Sequence, residues 1–252
     1  MPRAIPTTTV IKTMPSLTVE NYLKTALQIS MKTGADWVSP GKLALALDVS
    51  PGTVTSMLKT LNDADLAVYK PYEGVCLTDA GQRLALRMLR RHRIIETFLV
   101  ETLQLSWDQV HIEAENMEHA VSDLLIDRMD EFLGMPDCDP HGAPIPAPDG
   151  RLRSRQDNWQ PLSDCKVGQH IRFVRVVNQQ PDFLRYLSSS GFELGTEGLV
   201  SQNSVEAEIV CVDIPSGTIS IGRHAASTIH VTHCAEQGPS SESAGSSPTA
   251  SP

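Results

Sequence analysis

Long apolar segments are absent from this chain of 252 residues, and their absence excludes whole classes of protein. No apolar run approaches the ~20 residues that a membrane-spanning helix needs. The N-terminal segment MPRAIPTTTVIKTMPS lacks both the long apolar core and the small-residue cleavage pattern of a secretion signal. The sequence therefore predicts a protein with no membrane partner and a cytoplasmic location.

Paired cysteines and common catalytic motifs are also missing. The five cysteines are scattered and form no CxxC pair, which argues against a disulfide framework and against a zinc knuckle. The sequence has no H-E-x-x-H motif and no evident nucleophile. We therefore predict that the chain is not an enzyme. A helical metalloenzyme is the alternative, because carboxylate and histidine clusters also hold catalytic metals in helical bundles.

The net charge of −9 is distributed unevenly along the chain. Residues 1–95 contain 12 Lys and Arg against 7 Asp and Glu, a balance of +5, whereas residues 96–252 have a balance of −14. Nucleic-acid affinity depends on the local field that faces the phosphates rather than on the total charge. The first third is therefore basic enough to approach DNA, and the acidic remainder suits cation binding.

Residues 17–78 follow the pattern of a winged helix-turn-helix. Thr18 is the predicted cap of a first helix that runs to about Thr33. Two serine–proline dipeptides, which begin at Ser39 and Ser50, each place a capping serine before a proline at the first helical position. These two signals predict a short second helix and, after a tight turn, a third.

The third helix, PGTVTSMLKTLNDADL, combines an apolar face with an opposite face of short hydroxyls and one lysine. Such a polar face approaches a DNA backbone closely and donates to phosphates and base edges. The following segment, LAVYKPYEGVCLT, predicts a β-hairpin that serves as the wing. The predicted DNA-binding residues are Ser50, Pro51, Gly52, Thr53, Thr55, Ser56, Lys59, Lys70 and Tyr72. A helix-turn-helix used only for protein contacts is the alternative.

Histidines and glutamates cluster at helical spacing further along the chain. The clusters are His111, Glu115, Glu118 and His119 in VHIEAENMEHAVSD, and His92 and Glu96 in RRHRIIETFL. Side chains three and four positions apart lie on one side of a helix, so the first cluster is expected to converge on one patch. Groups this close repel each other unless a cation lies among them. The pattern predicts divalent metal binding, with a solvated polar face as the alternative.

Helix-capping residues divide this region into segments. A long helix is predicted to start at Thr78, a second at Ser106 and a third at Ser122, which ends near Leu133. The basic segment RMLRRHR is predicted to face DNA or solvent. Helices with this much apolar surface beside a winged domain predict a homodimer, because operators are commonly two-fold symmetric.

The order of winged helix, RRHRIIETFL, VHIEAENMEHAVSD and DPHGAPIP resembles the DtxR/MntR family of metal-dependent transcriptional repressors over about residues 16–232. The resemblance implies a homodimer that binds double-stranded operator DNA when loaded with Fe(II) or Mn(II), and that represses metal-uptake genes. It implies a primary metal site at Asn21, Glu115, Glu118 and His119. It implies an ancillary site at His92, Glu96 and His111, with Asp139, His141 and Asp182 as candidate further ligands. A simple turn at Asp139 and Pro140, a contribution from Cys138, and Gln180 in addition to Asp182 are the alternatives.

Three positions depart from relatives within that family. Glu115 stands where iron-sensing members carry a cysteine, and this hard oxygen ligand favours Mn(II), with Fe(II) as the alternative. Asn21 stands where manganese-type members often have an aspartate, so either its neutral amide oxygen or the carboxylate of Glu20 is the expected ligand. Lys24 stands where some manganese sensors have a bridging glutamate, which argues for two separated ions.

The predicted fold class is α+β and multidomain. The expected segments are a winged helix-turn-helix at 16–78, a helical dimerisation and metal-binding domain at 79–134, a proline-rich linker at 135–159, an SH3-like (FeoA-like) β-barrel at 160–232, and flexible tails at 1–15 and 235–252. A winged-helix regulator with an organic effector is the remaining alternative. Its operator binding would not change when metal is chelated.

Overall fold

The computed structural model describes residues 16–154 and 158–234, so the predicted flexible tails at 1–15 and 235–252 lie outside the described residues. Within these ranges the chain forms two compact units. The first comprises residues 16–140 and 144–154, and the second comprises 141–143 and 158–234. Among the described residues, no helix is both long and apolar enough to cross a membrane.

The first unit begins with the predicted winged helix-turn-helix. Its elements are α1 (Leu17–Thr33), α2 (Pro40–Leu47), α3 (Pro51–Asp63), β1 (Ala67–Lys70) and β2 (Gly74–Leu77). The hydroxyls of Ser39 and Ser50 cap α2 and α3 as predicted, because each accepts a hydrogen bond from the backbone N–H three residues on. The predicted cap of α1 is wrong: Ser16, in an extended conformation, caps the helix in place of Thr18.

The wing is held against the helices by backbone contacts. β1 and β2 form an antiparallel hairpin, and Val38 forms a two-way backbone bridge with Val75 on its inner side. Gly74 allows this approach, because a Cβ atom there would lie 2.4 Å from the carbonyl oxygen of Val38. Leu23, Leu43 and other apolar side chains of all three helices complete this core.

Three helices follow the wing: α4 (Asp79–Leu103), α5 (Val110–Met117) and α6 (Asp123–Phe132). Thr78 and Ser122 cap α4 and α6 as predicted. The predicted cap at Ser106 is wrong. Ser106 and Gln109 close a turn on each other, since the N–H of Gln109 donates to the carbonyl of Ser106 and its side chain accepts from the N–H of Ser106. α5 therefore starts later than predicted.

Arg90, Arg91 and Arg93 in the basic segment of α4 are buried rather than turned to DNA or solvent, which corrects the prediction for these three, whereas Arg87 is exposed. Arg90 donates to Asp130 of α6, and Arg91 donates to Asp123, the first residue of α6. These pairs satisfy guanidinium groups that burial would otherwise penalise strongly. They lie beside an apolar core between the helices, which includes Ile94, Ile95, Leu99, Val110, Ala114 and Ile126.

The second unit is built around an antiparallel sheet with the strand order β3-β8-β4-β5-β6-β7. Its elements are β3 (Gln160–Pro161), β4 (His170–Val176), α7 (Pro181–Ser189), β5 (Glu197–Ser204), β6 (Ile209–Ile214), β7 (Gly217–Gly222), α8 (Arg223–Ala226) and β8 (Ile229–His233). Register shifts in β4 and β5 bend the sheet. The predicted strands and the helix that begins at Pro181 are present, and the α+β multidomain class is confirmed.

Candidate metal centre

Three elements of the first unit bring the histidines and glutamates together. α1 contributes residues 20, 21 and 24, α4 contributes His92 and Glu96, and α5 with the turn after it contributes residues 111 to 119. The predicted single helical stripe is interrupted, because α5 ends at Met117 and Glu118 occupies its C-cap. His111 Nε2 still lies 3.7 Å from Glu115 Oε1, so the ligand residues form two neighbouring groups that are in contact.

The first group consists of His92, Glu96 and His111. The His92 Nε2 atom lies 3.0 Å from Glu96 Oε1 and 3.2 Å from His111 Nδ1, and His111 Nδ1 lies 3.3 Å from Glu96 Oε1. One ligand atom from each residue falls within 4.8 Å of the other two. His92 and Glu96 are buried. Two imidazoles and one carboxylate at these distances form a donor set that suits a divalent cation.

The carboxylates around His92 favour a positive charge in the His92–Glu96–His111 group, as the pKa of His92 indicates. Burial alone would lower the pKa of His92, but the charge of Glu96 and hydrogen bonds with Glu118 and Glu96 outweigh it and raise the pKa to about 9. Burial raises the pKa of Glu118, and the contacts with His92 and Lys24 outweigh this and lower it. A proton on His92 therefore supplies the positive charge in the metal-free protein.

The second group contains the predicted primary ligands and Lys24. The Lys24 ammonium donates to Glu118 Oε1 and lies 3.6 Å from Glu115 Oε1. The other oxygen of Glu118 lies 2.7 Å from Nδ1 of His92, which links the two groups. The ammonium therefore stands between two of the carboxylates that the resemblance assigns to a metal ion.

His119 and Asn21, the other two predicted primary ligands, lie beside this second group. Nδ1 of His119 is 2.8 Å from Glu20 Oε2, and its Nε2 is 3.5 Å from Glu118 Oε1. Among the described atoms, the buried Oδ1 of Asn21 has no hydrogen-bond partner. A buried oxygen without a donor is costly, and a nearby cation would satisfy it. The amide, carboxylate and imidazole donors of this region therefore fit a divalent ion.

The three further ancillary ligands that the resemblance implies have different surroundings. Asp139, in the first unit, is buried, and its Oδ2 lies 3.5 Å from Nε of Arg93. A carboxylate oxygen of Asp139 also lies within 4.8 Å of one from Glu96. His141, in the second unit, is buried, and its carbonyl accepts from the N–H of Val176. Asp182, also in the second unit, is exposed and pairs with Arg185. The assignment of these three as ligands stays a prediction.

The predicted DNA-binding residues lie on one helix face and on the wing. Ser50, Pro51, Gly52, Thr53, Ser56, Lys59, Lys70 and Tyr72 are exposed, and Thr55 is half-buried. Tyr72 projects from the tip of the hairpin with a positive φ of 70°. Lys70 pairs with Glu73 and lies 4.7 Å from the ring centroid of Trp37, an aromatic contact that the sequence did not reveal.

Family models match the chain in three consecutive segments. The iron dependent repressor N-terminal DNA binding domain matches residues 14–75, and the iron dependent repressor metal binding and dimerisation domain matches residues 78–147. The FeoA domain matches residues 160–233. The order of these matches is the order of the winged domain, the metal-bearing helices and the C-terminal sheet.

Individual relatives agree with the family models. The regulator MntR of Shouchella clausii is 31% identical over 120 residues, which cover 48% of this chain and 82% of that protein. The iron-dependent repressor IdeR of Mycobacterium tuberculosis is 32% identical over 131 residues, which cover 51% of this chain and 55% of that protein.

Solved structures extend the similarity to most of the chain. A manganese-dependent transcriptional repressor in complex with manganese has a TM-score of 0.78 and 37% identity, and the match covers 86% of this chain and all of that one. ScaR with bound Zn²⁺ has a TM-score of 0.72 and 30% identity, over 86% of this chain and 99% of that one.

A winged helix-turn-helix beside a buried histidine and carboxylate centre defines the class of metal-dependent transcriptional repressors. The chain belongs to the DtxR/MntR family of such repressors, which depend on divalent metal ions.

Proposed function

We propose that this protein is a manganese-responsive repressor of metal-uptake genes, which binds operator DNA as a homodimer when it is loaded with metal. The observation that carries the proposal is the largely buried His92–Glu96–His111 group, whose donor atoms converge within 4.8 Å of one another. This group lies in the same compact unit as the DNA-binding elements, so a change there has a direct structural route to α1.

The donor chemistry supports Mn(II) as the preferred ion. The two groups offer imidazole nitrogens and carboxylate and amide oxygens, and no sulfur atom belongs to either. Hard oxygen donors with imidazole suit Mn(II), although Fe(II) accepts the same set. One similar structure is described as a manganese-dependent repressor in complex with manganese, and IdeR of M. tuberculosis as iron-dependent. Fe(II) is therefore the alternative inducer of DNA binding.

The geometry of α3 and the wing supports operator binding. The exposed hydroxyls of α3 and the Lys59 ammonium lie where a recognition helix contacts phosphates and base edges. In a dimer, two such helices match two half-sites only at one separation. Metal loading that fixes the angle of α1 against α5 would select that separation. By thermodynamic reciprocity, operator DNA then strengthens metal binding by the same factor.

Exposed apolar side chains on α6 support the homodimer. Leu125 and Phe132 are seven residues apart and therefore share one face of the helix, and both are exposed, as is Leu124. An exposed apolar patch of this kind marks an interface with another protein chain. A second copy of this chain fits best, because an operator with two-fold symmetry is bound by a symmetric dimer. Leu125→Asp should shift the protein to monomer in sedimentation velocity, whereas Leu45→Asp, at an exposed leucine of α2, should leave the dimer unchanged.

Fluorescence anisotropy of a labelled promoter fragment tests the proposed function. Protein stripped of metal by a chelator is titrated with Mn(II) and, without oxygen, with Fe(II). We expect operator affinity to rise by a factor of about 5 to 150, the usual range of coupling between two sites, at lower concentrations of Mn(II) than of Fe(II). Equal responses would broaden the proposal to a general divalent sensor. Binding that is unaffected by either metal would overturn it.

A further inference from the structure

We propose that the Lys24 ammonium is the resident cation of the Glu115–Glu118 pair and competes with metal for this position. Lys24 then makes the primary site the weaker of two metal sites, and the His92–Glu96–His111 group is occupied first. This inference rests on the proposed function, because it concerns the order and strength of the metal binding that the proposed function requires.

The position of Lys24 carries the inference. It lies on α1, and its ammonium reaches across to residues more than 90 positions later in the chain, where it donates to Glu118 Oε1 and approaches Glu115 Oε1 at 3.6 Å. The Lys24 side chain is only 5% exposed, and that of Glu118 is fully buried. The Lys24 ammonium therefore neutralises the charge of Glu118 in a region that water screens little.

A dication and an ammonium exclude each other at this place. A metal ion bound by Glu115, Glu118 and His119 would lie within a few ångströms of the Lys24 nitrogen, where like charges repel strongly. Binding a second ion therefore requires Lys24 to leave its two carboxylate partners. The His92–Glu96–His111 group has no lysine among its members, and its donors already converge.

The same contact links the DNA-binding elements to α5 without any metal. Lys24 belongs to α1 of the winged domain, and Glu118 caps the C-terminus of α5. In a chain without Lys24, this connection would depend on the contact between Glu20 and His119 and on an ion held by Asn21 and the carboxylates. Lys24 is therefore a positioning residue that maintains the connection and determines how much metal is needed to replace it.

Metal-binding isotherms of the full-length protein test this directly. Free Mn(II) gives an electron paramagnetic resonance signal that bound Mn(II) loses, so a titration yields both stoichiometry and affinity. The variants are Lys24→Gln, which removes the charge, Lys24→Arg, which keeps it, and Lys32→Gln, a control at an exposed lysine of the same helix. Circular dichroism confirms the fold of each.

We expect wild type to bind one Mn(II) per protomer tightly and a second more weakly. Lys24→Gln should strengthen the second site by roughly 10- to 100-fold, the range typical of changes next to a metal site, whereas Lys24→Arg and Lys32→Gln should not. Equal affinities in Lys24→Gln and wild type would overturn the inference. If Lys24→Gln does not fold, the wild-type isotherm still decides, because two equally tight ions contradict it.

Different results would contradict the proposed function itself: wild type would bind no Mn(II) in the isotherm, or would bind it without a gain in operator affinity. Two tight ions with intact metal-gated DNA binding would remove only the role assigned to Lys24.

Discussion

The two halves of the histidine and glutamate network meet the same electrostatic requirement by different means. In the His92–Glu96–His111 group, a proton on a buried imidazole supplies the positive charge, and the donor atoms already converge. In the Glu115–Glu118 pair, a lysine from another helix supplies it and holds the carboxylates. Metal binding to the first group must displace a proton, whereas metal binding to the second must displace a whole lysine side chain. Two groups with the same kinds of ligand residues can therefore differ in how readily they bind a metal ion.

The difference in burial between the two carboxylates of the second group gives the largest expected effect. Glu118 is buried and both its oxygens have cationic partners, whereas the Glu115 side chain is 53% exposed. Glu118→Ala should lower the free energy of unfolding of the metal-free protein by about 3–5 kcal/mol, because it leaves buried charges unpaired. Glu115→Ala should lower it by less than about 1 kcal/mol. Urea unfolding with a chelator present measures both, and equal losses would contradict the assigned contacts.

Removing a ligand from the convergent group should weaken the tight metal site. His111 is partly exposed, so His111→Ala leaves less strain behind than a change at His92. We expect the affinity for the first Mn(II) to fall by about 10- to 100-fold, as for other changes at a metal site. His224→Ala, at an exposed histidine of α8, is the control and should bind as wild type does. An unchanged first affinity in His111→Ala would exclude this group as the tight site.

A smaller and more selective effect is expected on the other side of the comparison. His119 contacts Glu20 and Glu118 but not the convergent group. His119→Ala should weaken only the second Mn(II) and change the first affinity by less than about twofold, within ordinary context effects. The same isotherm resolves the two steps. Loss of the first step in this variant would mean that the two groups act as one site.

The smallest effect is expected at the DNA-binding surface, away from both groups. Lys59 is exposed on α3 and is assigned to a phosphate. Lys59→Ala should weaken binding similarly across operator sequences and reduce the salt slope by about 1, without changing metal affinity. Anisotropy at several salt concentrations, on the operator and on variants of it, measures this. A loss confined to one base pair would indicate base recognition instead.

Signals that act over a few residues predicted much of the fold. The serine–proline dipeptides at Ser39 and Ser50 fixed the starts of α2 and α3, and Thr78 and Ser122 those of α4 and α6. Such caps need only their own helix to act. Where two polar residues compete locally, as at Ser106 and Gln109, the sequence did not show which backbone group each would satisfy.

Contacts between distant segments were not predictable in the same way. The arginines of α4 were predicted to face DNA or solvent. In the structure, Arg91 pairs with Asp123, 32 positions later, and Arg90 pairs with Asp130, 40 positions later. Lys24 was recognised as a departure from relatives, yet its salt bridge to Glu118 spans 94 positions. The spacing of residues predicts which side chains share a helix face. It does not predict which faces of two helices pack against each other, because that depends on tertiary structure.

The role of the His92–Glu96–His111 group is tested most directly by Mn(II)-dependent operator binding of wild type and His111→Ala, measured side by side by fluorescence anisotropy on metal-stripped protein. We expect a large Mn(II)-induced gain in operator affinity for wild type. For His111→Ala, we expect that the gain is lost or moves to about 10- to 100-fold higher Mn(II). An identical Mn(II) response in the two proteins would contradict the assignment of the His92–Glu96–His111 group as the switch.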